Sequence, residues 1–202
     1  MADLAERGGR VDVALTIRPV GGAAVRAASL HVGTQATPLA FSPTARGEVE
    51  LRGVLSVPDA AHWWPHTHGA QPRYDARVVL DTSAGEVTIA LGPVAFRRVQ
   101  VDTTDDGFTV MVNGVSLFCR GACWTTPDIV TLDADEATYR TLLALARDAG
   151  MNMLRIGGTM VYESDCFYDL CDELGILVWQ DFMFANMDYH AADPTFLESV
   201  DR

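Results

Sequence analysis

The pattern of residues 121–180 constrains this chain most. Short apolar segments alternate there with longer stretches whose apolar residues recur at helical spacing. Tyr139, Leu142, Leu143 and Ala146 fall at i, i+3, i+4 and i+7, which predicts one apolar face of a helix. Asp133 is placed to cap that helix, with Glu136 three residues on as its reciprocal partner. Arg147 suits the last turn and Gly150 stops it. Residues 152–156 come next as a strand. Ser164 opens a second helix, whose stripe is Phe167, Leu170, Cys171 and Leu174, and Gly175 ends it. Residues 176–179 form a continuous apolar run, as expected of a parallel strand buried on both faces. The order from Gly121 is therefore β-α-β-α-β, which predicts right-handed βαβ units and a parallel sheet.

The first hundred residues read differently. Strand-like runs at 11–17, 49–55, 74–80 and 87–91 are punctuated by Gly21-Gly22, Ser42-Pro43 and Ser83-Ala84-Gly85. No amphipathic helix of useful length interrupts them. This spacing predicts an immunoglobulin-like antiparallel sandwich of about 100 residues. The expected division is a sandwich over residues 1–100 and an α/β region over 101–202. Residues 107–121 read as a hairpin, because Asn113-Gly114 between two apolar runs supplies two residues that tolerate positive φ.

Charge and cysteine usage exclude several functions. Twenty-seven acids against 15 bases give a formal net charge of -12, which repels phosphate backbones and argues against nucleic acid as a partner. A neutral, hydroxyl-rich partner such as a sugar is compatible with that field. No stretch approaches the ~18 apolar residues of a membrane span. Residues 1–10 are polar, so no secretory signal is expected. Cys119, Cys123, Cys166 and Cys171 form no Cys-x-x-Cys pair and no zinc-finger spacing with histidine. They read as small buried hydrophobes in a reducing, cytoplasmic compartment.

Parallel α/β architectures carry their chemistry at the carboxyl ends of the strands. That rule selects Cys123, Trp124, Thr125 and Asp128 after the first strand. It selects Arg155, Gly157-Gly158 and Tyr162-Glu163 after the second, and Gln180, Asp181 and Asn186 after the third. Arg155 lies inside an apolar strand, where an unpaired guanidinium is very costly. Its partner is Glu163, Asp181 or a carboxylate further along the chain. Asp181 can accept sugar hydroxyls or serve as the N-cap of a helix after it. Asn186 can bind a hydroxyl or shape a turn. Trp124 can offer a platform to a sugar ring or simply pack. The loop at 62–69 holds His62, His66 and His68 with Trp63 and Trp64. Without a strand or helix to fix their spacing it reads as an interdomain packing loop rather than a metal site. Gly157-Gly158 is no dinucleotide fingerprint. Ser164 and Cys166 have no neighbouring histidine to make a triad. No cofactor or metal is called for.

The run GMNMLRIGGTMVYESDCFYDLCDELGILVWQDFMFANMDY resembles the barrel entry of glycoside hydrolase family 2, closest to its β-mannosidase-like branch. VNGVSLFCRGACWTTPD resembles that family's link from sandwich to barrel. VPDAAHWWPHTHGAQPRYDARVVL resembles the late strands of its immunoglobulin-like domain. The resemblance implies an immunoglobulin-like sandwich followed by the first βα units of a TIM (β/α)8 barrel. It implies a retaining exo-hydrolase acting on β-linked oligosaccharides or glycosides. Such enzymes use two carboxyl groups about 5–5.5 Å apart. The family pattern places both glutamates beyond Arg202. Glu163 and Glu173 stand in other places, so no catalytic residue is assigned within the chain, and the chain alone is expected to be inactive. The family's initial jelly-roll domain has no room here. The substrate-binding residues carried over are Arg155, which supports the active-site carboxylates, Asp181, which contacts the terminal sugar, and Trp124; Asn186 joins them from its place at the pocket. Two departures fall there: Gly157 stands where β-mannosidases commonly carry Trp, and Ala185-Asn186 and Tyr189-His190 replace Ala-Cys and Tyr-Pro. Galactoside, glucuronide and glucosaminide therefore stand beside mannoside. The reading from another class is a non-catalytic carbohydrate- or protein-binding sandwich with a degenerate barrel remnant.

Overall fold

The structure, a computed structural model, describes residues 2–5 and 8–201. Met1, Glu6, Arg7 and Arg202 lie outside the described residues, and the reading of residues 1–10 falls partly on them. The chain forms two compact units, residues 1–118 and 119–202.

In the first unit, strands β1 (Ala2–Ala5), β2 (Gly8–Ile17), β3 (Val25–Val32), β4 (Gln35–Pro38), β5 (Ala40–Pro43), β6 (Val49–Pro58), β7 (Tyr74–Thr82) and β8 (Gly85–Val94) form two antiparallel sheets. Their orders are β1-β2-β6-β5 and β4-β3-β7-β8. Leu51, Leu55 and Val57 from one sheet and Leu30, Val32, Val78 and Leu80 from the other join in one buried cluster. The period-two alternation of each strand turns these side chains inward. All four strand runs read from the sequence are present. β3 is an addition to them, because Ala27 and Ala28 stand on opposite faces and hide the alternation, and a bulge between Val25 and Ala27 shifts its register.

A third sheet, β11-β10-β9, is built from β9 (Val99–Asp102), β10 (Thr109–Val112) and β11 (Val115–Ser116). Val112 pairs with Val115 across Asn113 (φ 51°) and Gly114 (φ 81°), so the turn takes the predicted left-handed pair. The hairpin ends at Ser116, shorter than the expected 107–121. Asn113 also accepts from the Arg98 N–H at 2.9 Å and donates to the Trp63 carbonyl at 3.0 Å. Trp63 is fully buried, with the Arg97 guanidinium 4.4 Å from its ring centroid. The histidine–tryptophan loop thus packs on Asn113 and Arg97 of its own unit.

The second unit holds β12 (Gly121–Trp124), α1 (Glu136–Asp148), β13 (Met153–Ile156), α2 (Asp165–Leu174), β14 (Leu177–Gln180) and α3 (Pro194–Val200). The three strands are parallel, in the order β12-β13-β14. Asp135, not Asp133, caps α1 by accepting from the Thr138 N–H at 2.8 Å. Asp133 bonds its neighbour Ala134 instead, and Glu136 pairs with Arg140, so the expected capping box does not form. Tyr139 and Leu143 are fully buried, while Leu142 lies on the flank of α1 and is exposed. One residue is about 100° of helical turn, enough to carry Leu142 off the covered side. In α2, Phe167, Leu170, Cys171 and Leu174 are all buried, and Gly175 (φ 74°) ends the helix as read.

Trp124, Leu154 and Ile156 from the strands pack in one core with Tyr139, Leu143 and Phe167 from the helices, so α1 and α2 cover the same face of the sheet. The pleat sends Cys123, Arg155 and Trp179, which are register partners, to the other face. Among the described residues of this unit no element lies on that face, and Trp179 is 41% exposed. All four cysteines are unpaired, and their reading as buried is corrected in part: Cys171 is buried, Cys119 and Cys166 are half-buried and Cys123 is exposed. Among the described residues no helix is long and apolar enough to cross a membrane.

Candidate functional site

The open face gathers the residues at the carboxyl ends of β12, β13 and β14. The Asp181 N–H donates to the Ile156 carbonyl at 3.0 Å and extends the β13–β14 pairing by one residue. The pleat then places Asp181 on the face of Arg155 and Trp179. Arg155 grips the carboxylate with both arms of its fork, Nε to Oδ1 at 3.3 Å and Nη2 to Oδ2 at 2.7 Å. Of the partners open to Arg155 in the sequence, Asp181 is the one it meets. The guanidinium side chain is half-exposed and the carboxylate less so. The Arg155 hydrogen bond holds the Asp181 carboxyl below the usual carboxylate range, aided by the Gly158 N–H and the Trp179 indole and opposed by desolvation. Gly121, Cys123, Met153, Arg155 and Trp179 line a cavity of about 300 Å³ on this face.

Two glycines let the backbone approach closely. A Cβ on Gly121 would stand 1.7 Å from the Met153 carbonyl oxygen, so β12 pairs with β13 only because that atom is missing. A Cβ on Gly158 would stand 2.7 Å from the Phe182 carbonyl oxygen. The loops after β13 and β14 therefore lie against each other. Beyond them Phe184 stacks on Phe182 and packs against Tyr189 and Phe196.

Glu163 is buried on the helix side, where its partners are neutral donors. Its Oε1 accepts from Trp124 Nε1 at 2.7 Å and from Thr126 Oγ1 at 2.9 Å, and its Oε2 accepts from the Tyr139 hydroxyl at 2.5 Å. Burial, with the neighbouring carboxylate, pushes the Tyr139 hydroxyl up to about 12. Trp124 is corrected by this arrangement. Its ring centroid lies 5.0 Å from that of Phe167 in the core, so it presents no face to the open side. Glu173 pairs with Arg140 on the helix surface. Asn186 is exposed in a left-handed loop conformation (φ 65°), away from the Arg155–Asp181 pair along the chain. Asp128 accepts from the Val130 and Thr131 N–H groups and shapes a turn. Gln180 accepts from the Tyr168 hydroxyl and turns to the helices. Trp179 is the residue of this face that sequence reasoning missed. Its spacing of two from Asp181 in a strand was the available signal.

A carboxylate fixed by a bidentate arginine is a strong acceptor for hydroxyl groups, and Arg155 is the member of the pair that also lines the cavity. Glu163, held by Trp124, Thr126 and Tyr139, and Glu173, paired with Arg140, both lie away from the cavity.

No family model matches the chain. Over 144 residues, 68% of its length, it is 42% identical to the β-mannosidase of Rattus norvegicus, of which this is 16%. Over 176 residues, 85% of the chain and 20% of the relative, it is 34% identical to β-mannosidase B of Aspergillus fumigatus. The crystal structure of β-D-mannosidase from Dictyoglomus thermophilum aligns over 98% of this chain and 25% of that one, with a TM-score of 0.77 and 32% identity. The chain belongs to glycoside hydrolase family 2, in its β-mannosidase-like branch. It spans about a sixth to a quarter of the length of these family members. The exo-β-D-glucosaminidase CsxA, at 22% identity and a TM-score of 0.76 over 90% of the chain and 22% of that enzyme, has the same fold.

Proposed function

We propose that the protein carrying this chain is a retaining exo-β-glycosidase that releases terminal sugars from β-mannosides. The chain supplies an immunoglobulin-like sandwich and the first three strands of a (β/α)8 barrel. Arg155 and Asp181 hold the terminal sugar at the barrel mouth, and the two catalytic glutamates come from outside the chain. The observation that carries this reading is the bidentate Arg155–Asp181 pair on the open face of a parallel sheet. Strands adjacent in sequence order with both helices on one face support a singly wound barrel over a doubly wound sheet, which has helices on both faces. The likeness to β-mannosidases supports the mannoside as first substrate. Gly157 and Asn186 keep galactosides, glucuronides and glucosaminides in the comparison. Four unpaired cysteines suit a reducing, cytoplasmic compartment.

The test is hydrolysis of p-nitrophenyl β-D-mannoside by the full-length protein, set against the galactoside, glucuronide and glucosaminide. The mannoside is expected to give the highest kcat/KM, with the β-anomer as first product. Residues 1–202 alone are expected to give no turnover. A full-length protein that hydrolyses none of the four overturns the reading.

A further inference from the structure

We infer that Glu163 is a positioning residue of the site, a buried clamp that sets the loops after β12 and β13 so that Arg155 and Asp181 are held in place; this rests on the glycosidase reading above. Glu163 is 7% exposed and accepts hydrogen bonds from three elements: Trp124 Nε1 at the end of β12, Thr126 Oγ1 in the loop after it, and the Tyr139 hydroxyl in α1. Trp124, Thr126 and Tyr139 are themselves buried. All four belong to one compact unit, so this chain's own side chains close the cluster. The loop that leads from β13 to Glu163 starts beside the ion pair. Gly158 lies so close to the Phe182 carbonyl oxygen that a Cβ would stand 2.7 Å from it, and Phe182 follows Asp181 directly. Ile156, next to Arg155, accepts from the Asp181 N–H at 3.0 Å. The loop is therefore pinned at one end beside Arg155 and Asp181 and at the other by Glu163.

Stability alone does not call for a carboxylate here. Burying one among neutral donors forfeits its hydration, and apolar side chains of the same volume commonly hold a fold as well or better. A fully satisfied polar cluster adds direction, because its bonds select one arrangement of the groups they join. The groups joined by Glu163 are the carboxyl ends of β12 and β13 and the loops after them, where a parallel α/β site carries its chemistry. A displacement of about 1 Å at such a site can cost about a hundredfold in rate. Glu163 touches no ligand in this role and acts through Arg155 and Asp181.

The test uses the full-length protein with p-nitrophenyl β-D-mannoside, at a temperature where circular dichroism shows each variant folded. E163A is expected to lower kcat/KM about tenfold, mostly through KM. E163Q keeps an oxygen for Trp124 and Thr126 and is expected to hold kcat/KM within about threefold. In a D181N background E163A is expected to cost less than about threefold, because the group it positions is already lost. The triple variant T126V/Y139F/E163M replaces the network with apolar groups of similar volume, so it decides the matter if E163A does not fold. It is expected to lower kcat/KM as E163A does. A loss under about threefold in folded E163A, or in the triple variant, overturns the inference, since Glu163 then serves stability alone. A loss of about threefold or more in the D181N background overturns it too, as does a loss in E163Q equal to that in E163A. A wild-type protein without turnover of any aryl β-glycoside overturns the glycosidase reading instead, and the inference with it.

Discussion

Replacing Glu163 tests how the second unit is held together. Its carboxylate accepts three hydrogen bonds at 2.5–2.9 Å from donors that are themselves buried or nearly so. A hydrogen bond to a charged group contributes about 1.5–3 kcal/mol, and a buried donor left unmade costs about 1–3 kcal/mol. The three are not additive, because all depend on one side chain. E163A strips the acceptor from Trp124, Thr126 and Tyr139 together and is expected to cost about 4 kcal/mol. E163Q keeps an amide oxygen for Trp124 and Thr126, and the Tyr139 hydroxyl can rotate to accept from the amide nitrogen. It is expected to cost about 1–2 kcal/mol. Urea denaturation of residues 1–202 measures both, with the far-ultraviolet helix signal following the second unit, which holds all three α-helices of the described residues. With an m-value of about 1–2 kcal/mol/M, the E163A midpoint should fall by about 2 M or more. A loss under about 1 kcal/mol in E163A would refute the reasoning, since it would mean that water or a relaxed neighbour replaces the carboxylate freely.

Three further outcomes are expected. G121A should break the pairing of β12 with β13 and cost about 3 kcal/mol or more, seen as loss of amide-exchange protection at Met153 to Arg155, because the new Cβ meets a backbone oxygen rather than a yielding side chain. Tyr139 has a raised pKa in the folded state, so its contribution is fully present below pH 10 and is lost as pH rises from about 10 to about 12; wild type should lose stability across that window and Y139F should not. Asp181 has a lowered pKa, so the support it gives is present above its ordinary value near pH 4 and is lost as pH falls through the lowered one; unfolding midpoints of wild type and D181N should differ at pH 7 and converge in acid, and D181N in the full-length protein should lower kcat/KM about ten- to a hundredfold.

The elements that were legible in the sequence are those whose local pattern and tertiary role agree. The stripe of α2 and the stop at Gly175 are fixed by spacing and by one left-handed residue. Asn113-Gly114 specifies its turn without help from the rest of the chain. β3 was not legible, because alanines on both faces carry no contrast. The cap of α1 was misplaced by two residues, since Asp133 and Asp135 have the same chemistry and only the path of the preceding loop decides between them. At the site, Arg155 and Asp181 were legible because a charge in an apolar strand demands a partner. The side of the sheet each tryptophan faces was not. Trp124 is the last residue of its strand and Trp179 the last but one of its own, and that difference of one residue in register sends one ring into the helices and leaves the other on the open face.

Two carboxylates of this unit, Asp181 and Glu163, answer differently to the ionic medium around them. The Arg155–Asp181 pair is partly solvated, and mobile ions screen it, the more so as the Debye length falls from about 10 Å at 0.1 M salt to about 3 Å at 1 M. Glu163 is anchored by neutral dipoles out of reach of counterions. Concentrated salt therefore loosens the ion pair on the open face while the join between the first strand and the second loop keeps its strength. The ion pair can be weakened by the medium without melting the scaffold behind it.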